Sequence, residues 1–91
     1  MKGRALFAAI APRLERAHRG RLEELARERA ERQRTRDQIF ELERLIAHRE
    51  LQLQRANAVG DSTYIARRQR KLNRAVRDLA RLNRRAVRIG A

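Results

Sequence analysis

The last third of the chain holds the side chains best suited to chemistry. Between residues 62 and 91, ten basic residues stand against a single acid, Asp78. An arginine guanidinium binds phosphate or carboxylate oxygens through paired hydrogen bonds, so this composition indicates a site for a polyanion or an acidic protein surface. The residues expected to make these contacts are Arg67, Arg70, Lys71, Arg74, Arg77, Arg81, Arg84, Arg85 and Arg88.

These basic residues recur mostly at intervals of three or four positions, which is the spacing of one helix face. Apolar residues fall on the opposite face when the stretch is wound at about 100° per residue. They are Ile65, Leu72, Ala75, Val76, Leu79, Leu82, Ala86 and Ile89. The sequence therefore predicts a basic amphipathic helix over residues 63–89, whose apolar face needs a partner helix.

The net charge of +13 is concentrated in this predicted helix. Residues 13–61 carry 12 arginines against 10 acids and contribute +2, whereas residues 62–91 contribute +9. A one-sided row of arginines suits contacts with successive phosphates, so nucleic-acid binding is the first functional hypothesis. Docking on an acidic protein surface, as an adaptor or structural subunit of a larger assembly, is the second.

The residue types that usually carry catalysis or bind metals do not occur together in this sequence. It lacks cysteine, a glycine-rich phosphate loop and a GxSxG motif. His18 and His48 are far apart and have no neighbouring ligand motif, and the glutamates near Arg27 alternate with arginines. General acid–base chemistry needs a carboxylate in a concave, partly dry site. We expect a non-enzymatic protein without a cofactor or a metal.

A turn is predicted over residues 59–62. Gly60 suits the left-handed conformation that ends a helix, and Asp61 or Ser62 suits the N-cap of the next one. So short a connection makes the flanking helices antiparallel neighbours. Because strand patterns are absent and alanine, leucine, arginine and glutamate dominate, the predicted fold is all-α, a coiled-coil-like helical hairpin.

The chain before this turn is predicted to form one long helix over residues 13–58, preceded by an apolar N-terminal arm over residues 1–12. Pro12 suits a first helical turn, and Gly20 marks a possible bend. The apolar run in the arm is too short for a membrane span. We expect an intracellular, cytoplasmic protein, and we do not expect a membrane to be its main partner.

The predicted first helix carries two apolar stripes. The main one joins Ile39 to Ala56, and a smaller one contains Phe40, Ala47 and Leu51. A helix with one partner needs one stripe, so we expect contact with a second helix and with another chain, most simply in a dimeric four-helix bundle. The alternative is a second stripe exposed to water. The residues expected at these contacts are Ile39, Phe40, Leu42, Ile46, Leu51, Leu53, Ile65, Leu72, Val76, Leu79 and Leu82.

Three polar residues fall on the predicted apolar stripes. Asn83 lies at the centre of the stripe of the last helix, where it would set the register of the helices or lie at an edge open to water. Arg49 and Arg68 interrupt the stripes, and we expect their aliphatic stems to pack while their charged ends reach water.

In outline, residues 13–89 resemble the coiled-coil stalk proteins of flagellar and type III export ATPases. They also resemble small RNA-binding hairpins that dimerise into four-helix bundles. Neither resemblance rests on signature residues, so neither assigns a role to a particular position. The two functional hypotheses therefore depend on the basic face alone.

Overall fold

The computed structural model confirms the all-α helical hairpin. It describes the backbone of residues 2–91 and the side chains of residues 8–91. Two helices follow one another, α1 over Lys2–Val59 and α2 over Ser62–Ile89. The chain divides into two compact units, residues 1–31 and residues 32–91, and the second unit contains the hairpin.

Helix α1 is longer than the sequence pattern suggests. It begins at Lys2, so the segment before Pro12 belongs to the same helix, and both Pro12 and Gly20 lie inside it. Proline within a helix removes one backbone donor. The carbonyl oxygen of Pro12 accepts a hydrogen bond from Arg16 Nε at 3.2 Å.

The turn between the helices consists of Gly60 and Asp61. Gly60 has a φ of 82°, a left-handed conformation that glycine adopts without steric cost. Its amide donates to the Ala56 carbonyl at 3.0 Å. The Asp61 carboxylate accepts from the amides of Thr63 and Tyr64 at 3.0 and 3.1 Å, which caps the start of α2. At the other end, Gly90 ends α2 in a left-handed conformation with a φ of 72°.

The two helices of the hairpin meet along a seam with heptad spacing. Every seam residue is buried or half-buried, and successive seam residues alternate between intervals of three and four positions, as in coiled coils. On α1 the seam consists of Arg32, Thr35, Ile39, Leu42, Ile46, Arg49, Leu53 and Ala56. On α2 it consists of Ile65, Arg68, Leu72, Ala75, Leu79, Leu82, Ala86 and Ile89.

Contacts across the seam show that the helices run antiparallel. Gln52 bonds to Arg68 near the turn, whereas Leu42 and Leu82 line one groove farther away. The most deeply buried seam residues are small: Ala56, Ala75, Ala86 and Thr35 are each less than a tenth exposed. Small side chains let the two backbones approach closely, so the core is narrow rather than globular.

Several residues expected at helix contacts are exposed in the hairpin. Val76 is 48% exposed and Asn83 is exposed as well, so neither belongs to the seam. Phe40 is 59% exposed, and Ala47 and Leu51 are also exposed, so the second stripe of α1 lies outside the seam. No described helix has a stretch long and apolar enough to cross a bilayer.

Candidate polyanion-binding surface

Helix α2 presents two columns of arginine away from the seam. Four arginines follow one another at intervals of seven residues, and three more form a parallel column, so that the combined row advances by three and four residues. All seven side chains are exposed. They are Arg67, Arg74, Arg81 and Arg88 in the first column, and Arg70, Arg77 and Arg84 in the second. We call these seven residues the arginine row.

The arginine row has a sharp boundary on one side, because the neighbouring stripe of α2 carries no charge. Seven exposed residues form this stripe, also at heptad spacing: Ala66, Gln69, Asn73, Val76, Ala80, Asn83 and Val87. The side chains of Gln69 and Asn73 bond to each other at 2.9 Å. The exposed basic residues of α2 are therefore confined to the arginine row and to the flank beyond it, and Arg68 lies in the seam.

The flank beyond the arginine row contains Lys71, Asp78 and Arg85 at intervals of seven residues. Lys71 is exposed and lines a groove with Arg49 and Arg74. Arg85 is exposed and also interacts within the protein. The nine basic residues selected from the sequence thus comprise the seven of the arginine row and two on its flank.

The acid in α2 neutralises little of this charge. The Asp78 carboxylate is 3.4 Å from Arg81 Nη2 in an i,i+3 pair, and both side chains are substantially exposed. Exposed pairs of this kind contribute at most about 1 kcal/mol. Arg81 therefore retains the capacity to exchange this partner for an external phosphate.

Near the end of α2, the arginine row borders a concave surface. Arg81, Arg84 and Arg88 line it together with Val87, and its volume is about 580 Å³. Arginine side chains that line one depression can donate charge-assisted hydrogen bonds to phosphate oxygens. The structure thus brings together three of the arginines that the sequence selected.

Aromatic side chains are poorly placed for stacking on bases. Tyr64 is half-buried, and its ring already carries the Arg68 guanidinium 4.9 Å from its centroid. Phe40 is exposed on α1, where Arg44 lies 5.9 Å from the centroid of its ring. Stacking on unpaired bases is the usual means of binding single strands without sequence preference. The α2 surface lacks that means within the described residues.

One polar cluster was missed by the sequence pattern. Arg68 lies in the seam and donates to Gln52 Oε1 at 3.1 Å and to the Tyr64 hydroxyl at 2.9 Å. The sequence pattern predicts an Arg68 stem that packs while its charge reaches water, whereas the guanidinium forms hydrogen bonds inside the hairpin. The signal that could have found it is the heptad spacing, which places Arg68 three residues after Ile65 and four before Leu72.

The histidines take no part in a visible site. His18 and His48 are both exposed, and the described residues contain no group of three or more histidines or acids placed to hold a metal ion. Comparison of the chain with known protein families, with curated proteins and with solved structures finds no match.

Proposed function

We propose that this protein is a small non-enzymatic nucleic-acid-binding protein that contacts the phosphate backbone through the arginine row of α2. The observation that carries the proposal is the exposure of all seven arginines on one side of the helix, beside an uncharged stripe. A charge pattern this one-sided is not needed for solubility, which scattered charges provide equally well. It matches a ligand that is itself a linear array of negative charges.

The dimensions of the arginine row fit a duplex. From Arg67 to Arg88 the row extends about 32 Å at 1.5 Å per residue, close to the roughly 34 Å of one duplex turn. Guanidinium groups on successive helical turns can therefore contact phosphates on either side of one groove. Since no described aromatic side chain of α2 is free to stack, we expect recognition of the backbone and little dependence on base sequence.

The proposal predicts how steeply the binding affinity falls as the salt concentration rises. Each phosphate neutralised on duplex DNA contributes about −0.9 to the slope of log affinity against log salt. Seven arginines in the row therefore set a limit of about −6, and engagement of four of them gives about −3.6. A slope in this range supports the proposal, whereas a slope near zero contradicts it.

The decisive experiment measures binding of the nuclease-treated protein to a random duplex and a random single strand across a salt series. The informative variant reverses Arg70, Arg77 and Arg84 to glutamate, because this column faces away from the seam. The matched control reverses Arg27, Arg34 and Arg36, which are exposed on α1. We expect loss of binding for the first variant and near-normal binding for the second, with helicity retained by circular dichroism in both.

A second candidate function is an adaptor or structural subunit that docks its basic surface on an acidic protein. The exposed stripe of Phe40, Ala47 and Leu51 favours it, because such a stripe gives α1 a second place for protein contact. Feeble nucleic-acid binding at low salt would support this alternative over the first. Equal loss of nucleic-acid binding in both charge-reversal variants would also count against the arginine row, since only net charge would then matter.

A further inference from the structure

The hairpin contains an open groove on the flank of the seam, lined by residues of both α1 and α2. One part, of about 750 Å³, has an apolar floor of Leu42, Leu45 and Leu82 and is bordered by Asp37, Gln38, Glu41, Asp78 and Arg81. A second part shares Leu42, Leu45 and Asp78 and continues to Arg49, Lys71 and Arg74. The groove is therefore acidic at one end, basic at the other and apolar along its floor.

The unit of residues 1–31 offers a segment that matches this groove. Ile10, Leu14 and Leu22 lie on one face of the helix, and Leu14 and Leu22 are 60% and 52% exposed. His18 falls on the same face. An exposed apolar stripe at helical spacing on a charged helix indicates a missing helical partner.

Length and charge both agree with the match. Residues 10–22 and the groove residues 37–49 of α1 each extend about 18 Å along a helix. The first part of the segment, Ile10 to Pro12, is uncharged, and the rest carries four arginines against Glu15. If the segment lies antiparallel to α1, its arginines meet the acidic end of the groove and its uncharged part meets the basic end.

We propose that this groove is the docking site for residues 10–22 of a second copy of the chain. In this arrangement Leu14 of one copy lies beside Leu45 of the other, and Arg19 and Arg21 lie near Asp37 and Glu41. Both the segment and one wall of the groove belong to α1, so two copies related by a twofold axis exchange the segment reciprocally. The proposal goes beyond nucleic-acid binding and does not depend on it.

The absence of cysteine from the chain makes a direct test possible. A Leu14→Cys variant and a differently tagged Leu45→Cys variant are mixed without nucleic acid and treated with a short bismaleimide. We expect a cross-linked dimer carrying both tags. The control pairs Leu14→Cys with Val87→Cys, because Val87 is 83% exposed and lies outside the groove. Equal cross-linking in the two mixtures would overturn the proposed pairing.

Sedimentation equilibrium provides a second, independent readout. We expect a dimer whose dissociation constant rises at least about a hundredfold on Leu14→Asp or on Leu45→Asp, because each change places a charge in an apolar contact twice per dimer. Val87→Asp should leave it unchanged. A wild-type protein that stays monomeric up to about 100 μM refutes the proposal, as does a dimer that both groove variants leave intact. Circular dichroism of each variant verifies that the helices are retained.

Discussion

Arg68 of α2 donates a hydrogen bond from Nη1 to Oε1 of Gln52 on α1 at 3.1 Å, across the seam of the hairpin. The guanidinium lies over the Tyr64 ring, and its Nε is buried without a hydrogen-bond partner. The bond gives Arg68 Nη1 a hydrogen-bond acceptor at a partly buried position where access to water is reduced. It also defines which residues of the two helices face each other near the turn.

We expect Gln52→Leu to destabilise the hairpin more than the double variant Gln52→Leu, Arg68→Leu. The single change leaves a partly buried, charged donor of Arg68 without its acceptor and should lower the free energy of unfolding by about 1–3 kcal/mol. The double change replaces both polar partners with apolar side chains. Urea unfolding of the wild type, both single variants and the double variant gives the coupling energy. Additive effects would show that the bond contributes nothing beyond packing.

The buried alanines of the seam set how closely the helices approach. Ala75 is 4% exposed, whereas Ala80 on the same helix is exposed. Ala75→Leu should overfill the seam and lower the free energy of unfolding by about 1–3 kcal/mol. Ala80→Leu should change it by less than about 0.5 kcal/mol, since both residues are good helix formers. Similar effects of the two variants on thermal unfolding would contradict the described packing.

The glycines of α1 and the turn should respond oppositely to alanine. A Cβ at Gly20 meets nothing within 4 Å, and the position is helical. Gly20→Ala should therefore stabilise the helix by about 0.5–1 kcal/mol. Gly60 has a φ of 82°, so Gly60→Ala should destabilise the hairpin by about 1–2 kcal/mol. Thermal scans followed by circular dichroism compare the two, and a loss of stability from Gly20→Ala would mean that the helix needs the glycine.

The Asp61 cap should be measurable through one substitution and its conservative partner. Asp61→Ala removes the acceptor of the Thr63 and Tyr64 amides and should cost about 0.5–2 kcal/mol. Asp61→Asn keeps a side-chain oxygen and should retain most of the stability. Chemical denaturation of the three proteins tests this ranking. If both variants lose the same stability, the charge of Asp61 and not its acceptor geometry stabilises the start of α2.

Single arginines of the row should each contribute to the salt dependence of nucleic-acid binding. Arg77→Gln removes one phosphate contact and should reduce the salt slope by about 1 while weakening binding similarly for all sequences. Arg36→Gln removes the same charge from α1, where the guanidinium bonds to Gln33 at 3.1 Å, and should leave the slope unchanged. Fluorescence anisotropy with a labelled duplex measures both. An equal change of the salt slope for the two variants would show that binding depends on overall charge and not on the position of the arginine.

The sequence was sufficient for the hairpin because its signals are local. Gly60 and Asp61 are adjacent turn residues with strong conformational preferences, and the predicted helix over 63–89 differs from Ser62–Ile89 by one residue. The exposure of the nine basic residues could also be predicted from the sequence, because charged side chains on one helix face are rarely buried. All nine are exposed in the hairpin.

The seam was harder to predict, because its period differs slightly from that of a straight helix. On a wheel of 100° per residue, Asn83 coincides with Ile65, five full turns earlier. A heptad seam drifts by about 20° per seven residues relative to that wheel. By the end of α2, residues that share an angle on the wheel therefore no longer share a face of the helix. The same drift placed Val76 in the core. Asn83 and Val76 are instead exposed, and Arg68 occupies a seam position.

Tyr64 lies in the first turn of α2, beside the connection between the two helices. Its hydroxyl is 2.9 Å from Arg68 Nη2, and its ring lies beneath the same guanidinium. The chain contains one tyrosine and no tryptophan. When phenylalanine is not excited, the intrinsic emission of the protein therefore comes from Tyr64. Because the Arg68 guanidinium also bonds to Gln52 of α1, separation of the two helices should change the surroundings of the Tyr64 ring, and the emission of the unmodified protein should report it.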